Sequence, residues 1–339
     1  MASATTPFVP AGRPVRWGIL GPGRIARKFA ADLAHAPGAE LVAVGSRNQA
    51  NADAFGDEFG VPNRYDSYAD LANDPDVDVV YIATPHPAHH DATILCLRAG
   101  KHVLVEKPFA MNAAEACEMV EAARAGNRFL MEAMWTRFRP LMAKVRQLLA
   151  EGALGEVQLV TATIGWMSSF DPEFRLYNPL LGGGALLDGG VYPVSFASMV
   201  LGAPTEACGV ATIGESGVDE QETIALRYPS GAVAALGVTV RANPQSIATI
   251  VGTRGTIVID HDWHKPQTFR LLVPGAEPQV FDYTMTEGLG YQFEAIEVMR
   301  CLREGRTESP IMPLDESVSI VQTMEQLLRS WGVRYPSDR

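Results

Sequence analysis

The chain has 339 residues, 47% of them hydrophobic, with 28 basic against 39 acidic side chains and a formal charge of −11. That length exceeds one ordinary core, so two domains are expected. The acidic balance excludes nucleic acid and anionic membrane as partners, since both need a basic face, and no apolar run of membrane-span length is evident.

Residues 1–14 lack the basic flank and apolar core of a secretory signal and read as a flexible N-terminal arm, or one that docks on a neighbour. Residues 15–20 form a short apolar strand. Gly21-Pro22-Gly23-Arg24-Ile25-Ala26 follows, and a helical pattern then runs to about residue 35. This is G-x-G-x-x-A between strand and helix. Gly21 permits the tight turn, Gly23 lets backbone approach a pyrophosphate at the helix N-terminus, and Ala26 lets the helix pack closely. A second strand at 41–45 leads into Ser46-Arg47-Asn48. A carboxylate there would bond an NAD ribose. A hydroxyl and a guanidinium suit a 2′-phosphate instead, which favours NADP.

Residues 50–59 read as a helix, and Ser67-x-x-Asp70 as a capping box. A strand at 78–83 ends in Thr84-Pro85-His86-Pro87-Ala88-His89-His90, holding three of the chain's seven histidines. His86 and His90 have the spacing of two ligands on one helical face, but no third ligand is evident, so no metal is expected. The loop reads better as a helix entry lining the nicotinamide side of a crevice.

Val103-Leu104-Val105-Glu106-Lys107-Pro108 is a buried strand that stops on a carboxylate, an amine and a proline. Pro108 biases Lys107 toward extended backbone at the carboxyl end of the strand, the edge where open α/β sheets bind ligands. An amine there can join in proton transfer if its pKa is lowered. A helix from Asn112 to about residue 124 and a strand at 128–131 follow. Alternation of strand and helix over 15–137 is the pattern of a doubly wound parallel sheet.

After a helix at 140–150 the pattern changes. Strands are expected at 157–164, 206–213, 223–228, 233–240, 246–251, 256–259 and 269–273, joined by tight turns into a mostly antiparallel sheet. Helices at 291–304 and 315–331 close the chain. Within this half, Gly182-Gly183-Gly184-Ala185-Leu186-Leu187-Asp188-Gly189-Gly190-Val191-Tyr192-Pro193 is not ordinary strand. If it is helical from Ala185, Asp188 and Tyr192 share one face, one turn apart. A phenol and a carboxylate there can meet Lys107, whose ammonium would favour the phenolate. Arg175 upstream could clamp an anionic or hydroxylated ligand or cap a helix. Trp135 and Trp263 are pocket-wall or core residues. Cys96, Cys117, Cys208 and Cys301 are far apart, form no C-x-x-C pair, and read as reduced, mostly buried thiols of a cytoplasmic protein.

With these motifs in hand, the chain resembles the glucose-fructose oxidoreductase and inositol dehydrogenase family, most of all its dimeric dihydrodiol dehydrogenase and NADP-dependent D-xylose dehydrogenase branch. The marks are Gly21-x-Gly23-x-x-Ala26, Ser46-Arg47, Glu106-Lys107-Pro108, the run from Met131 to Phe138, Gly183 to Asp188 with Tyr192, and Tyr291-x-x-Glu294. The resemblance implies an α/β fold: a Rossmann domain over 15–137, then an α+β domain over 138–339 with a large open-faced sheet. It implies NADP held by Gly21, Gly23, Arg24, Ile25, Ser46, Arg47, Thr84, Pro85, His86 and His89, with Glu106, Lys107, Arg175 and Tyr291 near the nicotinamide end. Lys107, Asp188 and Tyr192 match the catalytic positions, and Trp135 and Trp263 the substrate pocket. The branch has a hydrophobic residue where Gly189 stands.

The expected activity is hydride transfer between NADP(H) and a carbinol carbon of a sugar or cyclic polyol. Tyr192 would carry the proton, Lys107 would tune it, and Asp188 would hold the pair. The reverse assignment, with Lys107 as carrier, is the near alternative. The expected assembly is a homodimer through the outer face of the sheet, or a tetramer. Rival readings are a catalytically silent NADP-binding sensor and a glycosidase that uses transient nicotinamide oxidation.

Overall fold

A computed structural model describes residues 7–336. The chain divides into two compact units. The first takes residues up to Ala110, Ala114–Trp135 and Thr286–Val318; the second takes Met111–Ala113, Thr136–Met285 and residues from Ser319 on. They are therefore not two sequential halves, as a split at 137/138 would make them.

In the first unit, β1 (Val15–Leu20), β2 (Ala39–Gly45), β3 (Asn63–Tyr65), β4 (Val79–Ile82), β5 (His102–Glu106) and β6 (Leu130–Ala133) lie in the order β3-β2-β1-β4-β5-β6. Every pairing is parallel. Strands β4, β5 and β6 are buried along their whole length, as expected of strands covered on both faces. The helices between them are α1 (Arg24–Leu33), α2 (Gln49–Phe59), α3 (Tyr68–Asn73), α4 (His89–Arg98) and α5 (Ala113–Ala125). Local chemistry sets their ends. Asn48 Oδ1 accepts the Ala50 N–H at 2.9 Å to start α2, and Ser67 Oγ accepts the Asp70 N–H at 3.3 Å to start α3.

The second unit holds α6 (Pro140–Ala150), β7 (Val157–Gly165), α7 (Val191–Leu201), β8 (Glu206–Ile213), β9 (Asp219–Arg227), β10 (Val233–Thr239), β11 (Ala248–Gly252), β12 (Thr256–Ile259), β13 (Thr268–Leu272) and β14 (Gln279–Asp282). Its strands form one sheet in the order β14-β13-β12-β11-β7-β10-β9-β8. Pairing is antiparallel except between β7 and β10, which run parallel. One face is buried and the other open, and β9 alternates accordingly. Helix α7 packs on β7 and β10. The stretch Pro179–Leu201 is long and apolar enough to cross a membrane by length and composition, which the sequence reading overlooked. Its most apolar window is 78% buried, so it is a core element of this unit.

The last two helices are α8 (Gln292–Arg303) and α9 (Leu314–Ser330). The segment leading into α8 is bound to the first unit by Asp32 on α1. That buried carboxylate accepts the N–H groups of Leu289, Gly290 and Tyr291 at 2.8–2.9 Å. Leu130 N–H donates to Thr307 O at 3.1 Å, and Phe8 N–H to Leu302 O at 2.9 Å. The expected flexible arm is thus docked over its described part. Val9 is buried, Phe8 lies 4.6 Å from the His102 ring, and Arg13 pairs with both oxygens of Asp78 at 2.9 and 3.0 Å. Residues 1–6 of the arm lie outside the described residues.

Candidate active site

The turn between β1 and α1 has the shape its glycines require. Gly21 sits at φ +83°, and a Cβ there would meet Ala83 O at 3.0 Å. A Cβ on Gly23 would meet nothing nearer than 4.0 Å, so the backbone is open to close approach. No side chain caps α1, which leaves the amides of Arg24 and Ile25 facing outward as a ready anion site. Beyond β2, Ser46 is buried, and its Oγ accepts the Asn48 N–H at 3.2 Å. Arg47 is exposed, and its guanidinium acts on the Tyr68 hydroxyl. These residues fit a dinucleotide: a turn that only glycine fits, uncapped amides for the pyrophosphate, and a hydroxyl and a cation after β2.

The loops after β4 and β5 are tied together by His89. Its Nδ1 lies 2.8 Å from Pro108 O and its Nε2 3.0 Å from Thr84 O. Two carbonyl acceptors favour the doubly protonated ring, but burial opposes it, helped by the Lys107 ammonium, and the pKa is lowered to about 4. His89, one of the expected cofactor residues, is fully buried with both ring nitrogens facing backbone carbonyls. Thr84 Oγ1 is buried with no hydrogen-bond partner among the described residues. Pro85 is exposed and His86 half-buried. His90 does not join His86, because its ring nitrogens lie 2.8 Å from Asp91 and 3.0 Å from Glu118.

Glu106 ends β5 inside the first unit. It accepts a hydrogen bond from the Tyr81 hydroxyl and one from the Lys107 N–H at 3.1 Å. Burial and the Glu106 charge push the Tyr81 phenol well up. Glu294, on α8, is fully buried, and neither oxygen has a hydrogen-bond partner among the described residues. Burial, then Glu106 and Asp32, push its carboxyl well up. Lys107 is half-buried at the strand's carboxyl end, before a cis peptide to Pro108. Trp135 and Tyr291 stack on each other in this unit, centroids 4.5 Å apart and planes 19° apart.

In the second unit, Leu186–Gly190 is a π-turn that runs directly into α7. Such turns recur at functional sites. Asp188 and Tyr192 therefore belong to one continuous helical run, the condition on which a spacing of four would set them one turn apart. The structure adds Arg175, which grips both oxygens of Asp188 at 3.1 and 2.9 Å. Asp188 is buried while Arg175 is partly exposed. This bidentate clamp fixes the carboxylate plane. Tyr192 is half-buried against a core of Ile164, Leu176, Tyr177, Ala185, Val238 and Val240, beside Trp166. The His264 ring lies 5.7 Å from it. Trp166 also explains Gly189: a Cβ there would stand 3.1 Å from the indole. The pocket role expected for Trp263 is corrected. Its ring is 0% exposed, its Nε1 donates to Thr163 O at 2.9 Å, and Phe196 packs on it at 5.1 Å. It is core.

A parallel sheet with a glycine turn, uncapped helix amides and an amine at the carboxyl edge of β5 is the architecture of a nicotinamide-dependent oxidoreductase. Residues 15–134 match an oxidoreductase family with an NAD-binding Rossmann fold, and residues 142–258 match the GFO/IDH/MocA C-terminal domain. The chain is 39% identical to trans-1,2-dihydrobenzene-1,2-diol dehydrogenase of Mus musculus over 336 residues, 96% of this chain and 99% of that one. Its structure is similar to that of an aldose-aldose oxidoreductase from Caulobacter crescentus complexed with glycerol, with TM-score 0.85, 27% identity, and coverage of 94% of this chain and 98% of that one. It is also similar to a 3-ketoreductase from Actinomadura kijaniata in complex with NADP and TDP-benzene, with TM-score 0.82, 25% identity, and coverage of 94% and 98%. The chain belongs to the GFO/IDH/MocA family of oxidoreductases.

Proposed function

We propose that the protein is an NADP-dependent dehydrogenase of a sugar or cyclic diol, working reversibly at a carbinol carbon. The observation that carries this reading is the π-turn. It presents Asp188, clamped by Arg175, and leads to Tyr192, in a chain that also keeps Lys107 at the end of β5. A protein that only sensed the dinucleotide would not need this set. The names of its relatives, a dihydrodiol dehydrogenase and an aldose oxidoreductase, support the substrate class.

The 2′-phosphate preference is supported by Ser46 and the exposed Arg47, by the lack of a carboxylate at the end of β2, and by NADP in the ketoreductase complex. When bound, the nicotinamide takes or returns the hydride. Oxidation removes that hydride from carbon and a proton from oxygen, leaving a carbonyl. Tyr192 takes the proton as general base and returns it in the reverse direction. Lys107, at the carboxyl end of β5, polarises the carbinol oxygen or carries the proton itself. Arg175 keeps Asp188 oriented through its bidentate clamp.

Replacing Lys107 with Ala, or Tyr192 with Phe, should lower kcat on the order of 100-fold or more and leave NADP binding near normal. Wild-type turnover in both variants would refute the assignment. We also propose a cytoplasmic homodimer. Four free thiols support the compartment. The open sheet face, where Val210 and Val233 are exposed, supports the contact.

A further inference from the structure

Two buried acids lie beneath the π-turn and take no part in the reaction above. Both are on β9: Asp219 is 0% exposed and Glu222 5%. Asp219 Oδ2 accepts the Leu186 N–H at 2.6 Å, and the Ala185 N–H also acts on this carboxylate. These amides open the π-turn. The backbone just before them is closed tightly over the same group. A Cβ on Gly184 would stand 2.5 Å from Asp219 Oδ1 and 2.9 Å from the Tyr335 hydroxyl. Tyr335 in turn donates to Gly183 O at 2.6 Å. The run 183–186 is therefore held from below by one carboxylate and one phenol, immediately before Asp188. Glu222 sits further along: a Cβ on Gly190 would stand 3.4 Å from its Oε1, and neither of its oxygens has a partner among the described residues.

We propose that Asp219 is a positioning residue: its buried carboxylate fixes the amides that open the π-turn and so sets where Asp188 and Tyr192 stand. The proposal rests on the reading that those two residues serve the reaction. The negative charge of the acid pair belongs on Asp219, because amide donors stabilise it there and Glu222 has none. Burial pushes the Asp219 carboxyl up to about 6 against those amide bonds, with Glu220 adding to the rise. Burial, then the Asp219 charge, push Glu222 well up. Glu220 itself pairs with Arg241 at 3.5 Å, and Tyr335 is the other titratable group over the site. Near neutral pH Asp219 is ionised. Below about pH 6 Asp219 takes up a proton, and its charge-assisted bonds to the turn fall to roughly half their strength.

The test is the pH profile of kcat for the full-length protein, with the sugar or diol it turns over. Wild type should lose kcat through an apparent pKa near 6. Asp219→Asn should lower kcat about 10- to 100-fold at pH 7.5, leave the KM for NADP unchanged, and abolish that acid limb. Glu222→Gln should keep the limb. An Asp219→Asn enzyme that retains the limb overturns the proposal. Should that variant fail to fold, the Leu186 amide resonance of selectively labelled wild-type protein decides: it should titrate with a midpoint near 6, and a flat response overturns the proposal. Tyr192→Phe is run in parallel. If it keeps full turnover, the catalytic reading has failed. If it loses turnover while Asp219→Asn behaves as wild type, only the positioning claim has failed.

Discussion

Arg47 stands exposed beyond the end of β2, next to a buried Ser46. Its contact within the fold is with the Tyr68 hydroxyl, so its replacement tests cofactor choice at little cost to the core. Arg47→Asp should remove a cation from a 2′-phosphate and offer a carboxylate to a 2′-hydroxyl. The ratio of kcat/KM for NADP over NAD should fall by about tenfold or more. An unchanged ratio, measured with both cofactors side by side, would show that Arg47 does not touch the phosphate. Asp188 shows what single positions conceal. Its place four positions before Tyr192 was readable from the spacing, whereas its clamp by Arg175 reaches thirteen residues back along the chain, and no periodicity encodes that. Trp263 teaches the converse. Its partner Thr163 lies one hundred positions away, so composition around the indole could not distinguish pocket from core.

The π-turn is the element where packing and sequence departed most. A glycine at position 189 looked like a local weakness, since glycine costs about 1 kcal/mol in a helix. The structure supplies the reason it is there. The Trp166 indole, at the end of β7, fills the room that a side chain at 189 would need, and Val238 closes the other side at 3.3 Å. Gly189→Leu should therefore overpack the site, cost about 1–3 kcal/mol of stability, and lower kcat by displacing Tyr192. Combining it with Trp166→Ala should recover part of the stability, giving a coupling energy in a double-mutant cycle read by urea melts. Additive losses would mean that the two positions do not share space. Among the strands, long amphipathic or buried runs were legible, while β3 and β14, with three and four residues, carry too little pattern to register. The parallel β7–β10 pair was also missed, because reading successive strands as hairpins cannot bring β10 beside a strand so far ahead of it in the chain.

Across the whole molecule, buried titratable groups set how stability depends on pH. Glu294 has a folded pKa well above its unfolded value near 4.5. The stability it contributes is complete below that unfolded value and is lost as pH rises toward the folded one, at most about 1.4 kcal/mol per pH unit. Glu294→Gln removes this loss. The variant's advantage over wild type should grow between pH 5 and pH 7 in denaturant melts; an equal difference at both pH values would refute the upward shift. His89 and His102 act on the other side. Both have pKa values lowered to about 4 by burial, so their contribution is present above about 6.5 and is lost as pH falls toward 4. The two-part architecture was visible in the switch from strand-helix alternation to successive strands. The return of Thr286–Val318 to the first unit was not. It depends on Asp32, an acidic residue on a helix whose acceptors meet amides more than two hundred and fifty positions later.

That late return bears on how the protein is made. By residue 133 the growing chain contains all six strands of the first sheet. The amides at 289–291 that satisfy Asp32, and the carbonyl of Leu302 that receives the Phe8 N–H, have yet to be translated. At ordinary ribosomal speeds the gap is on the order of ten seconds. For that interval a nascent chain carries every strand of the first sheet while the amides that satisfy Asp32 are still to come.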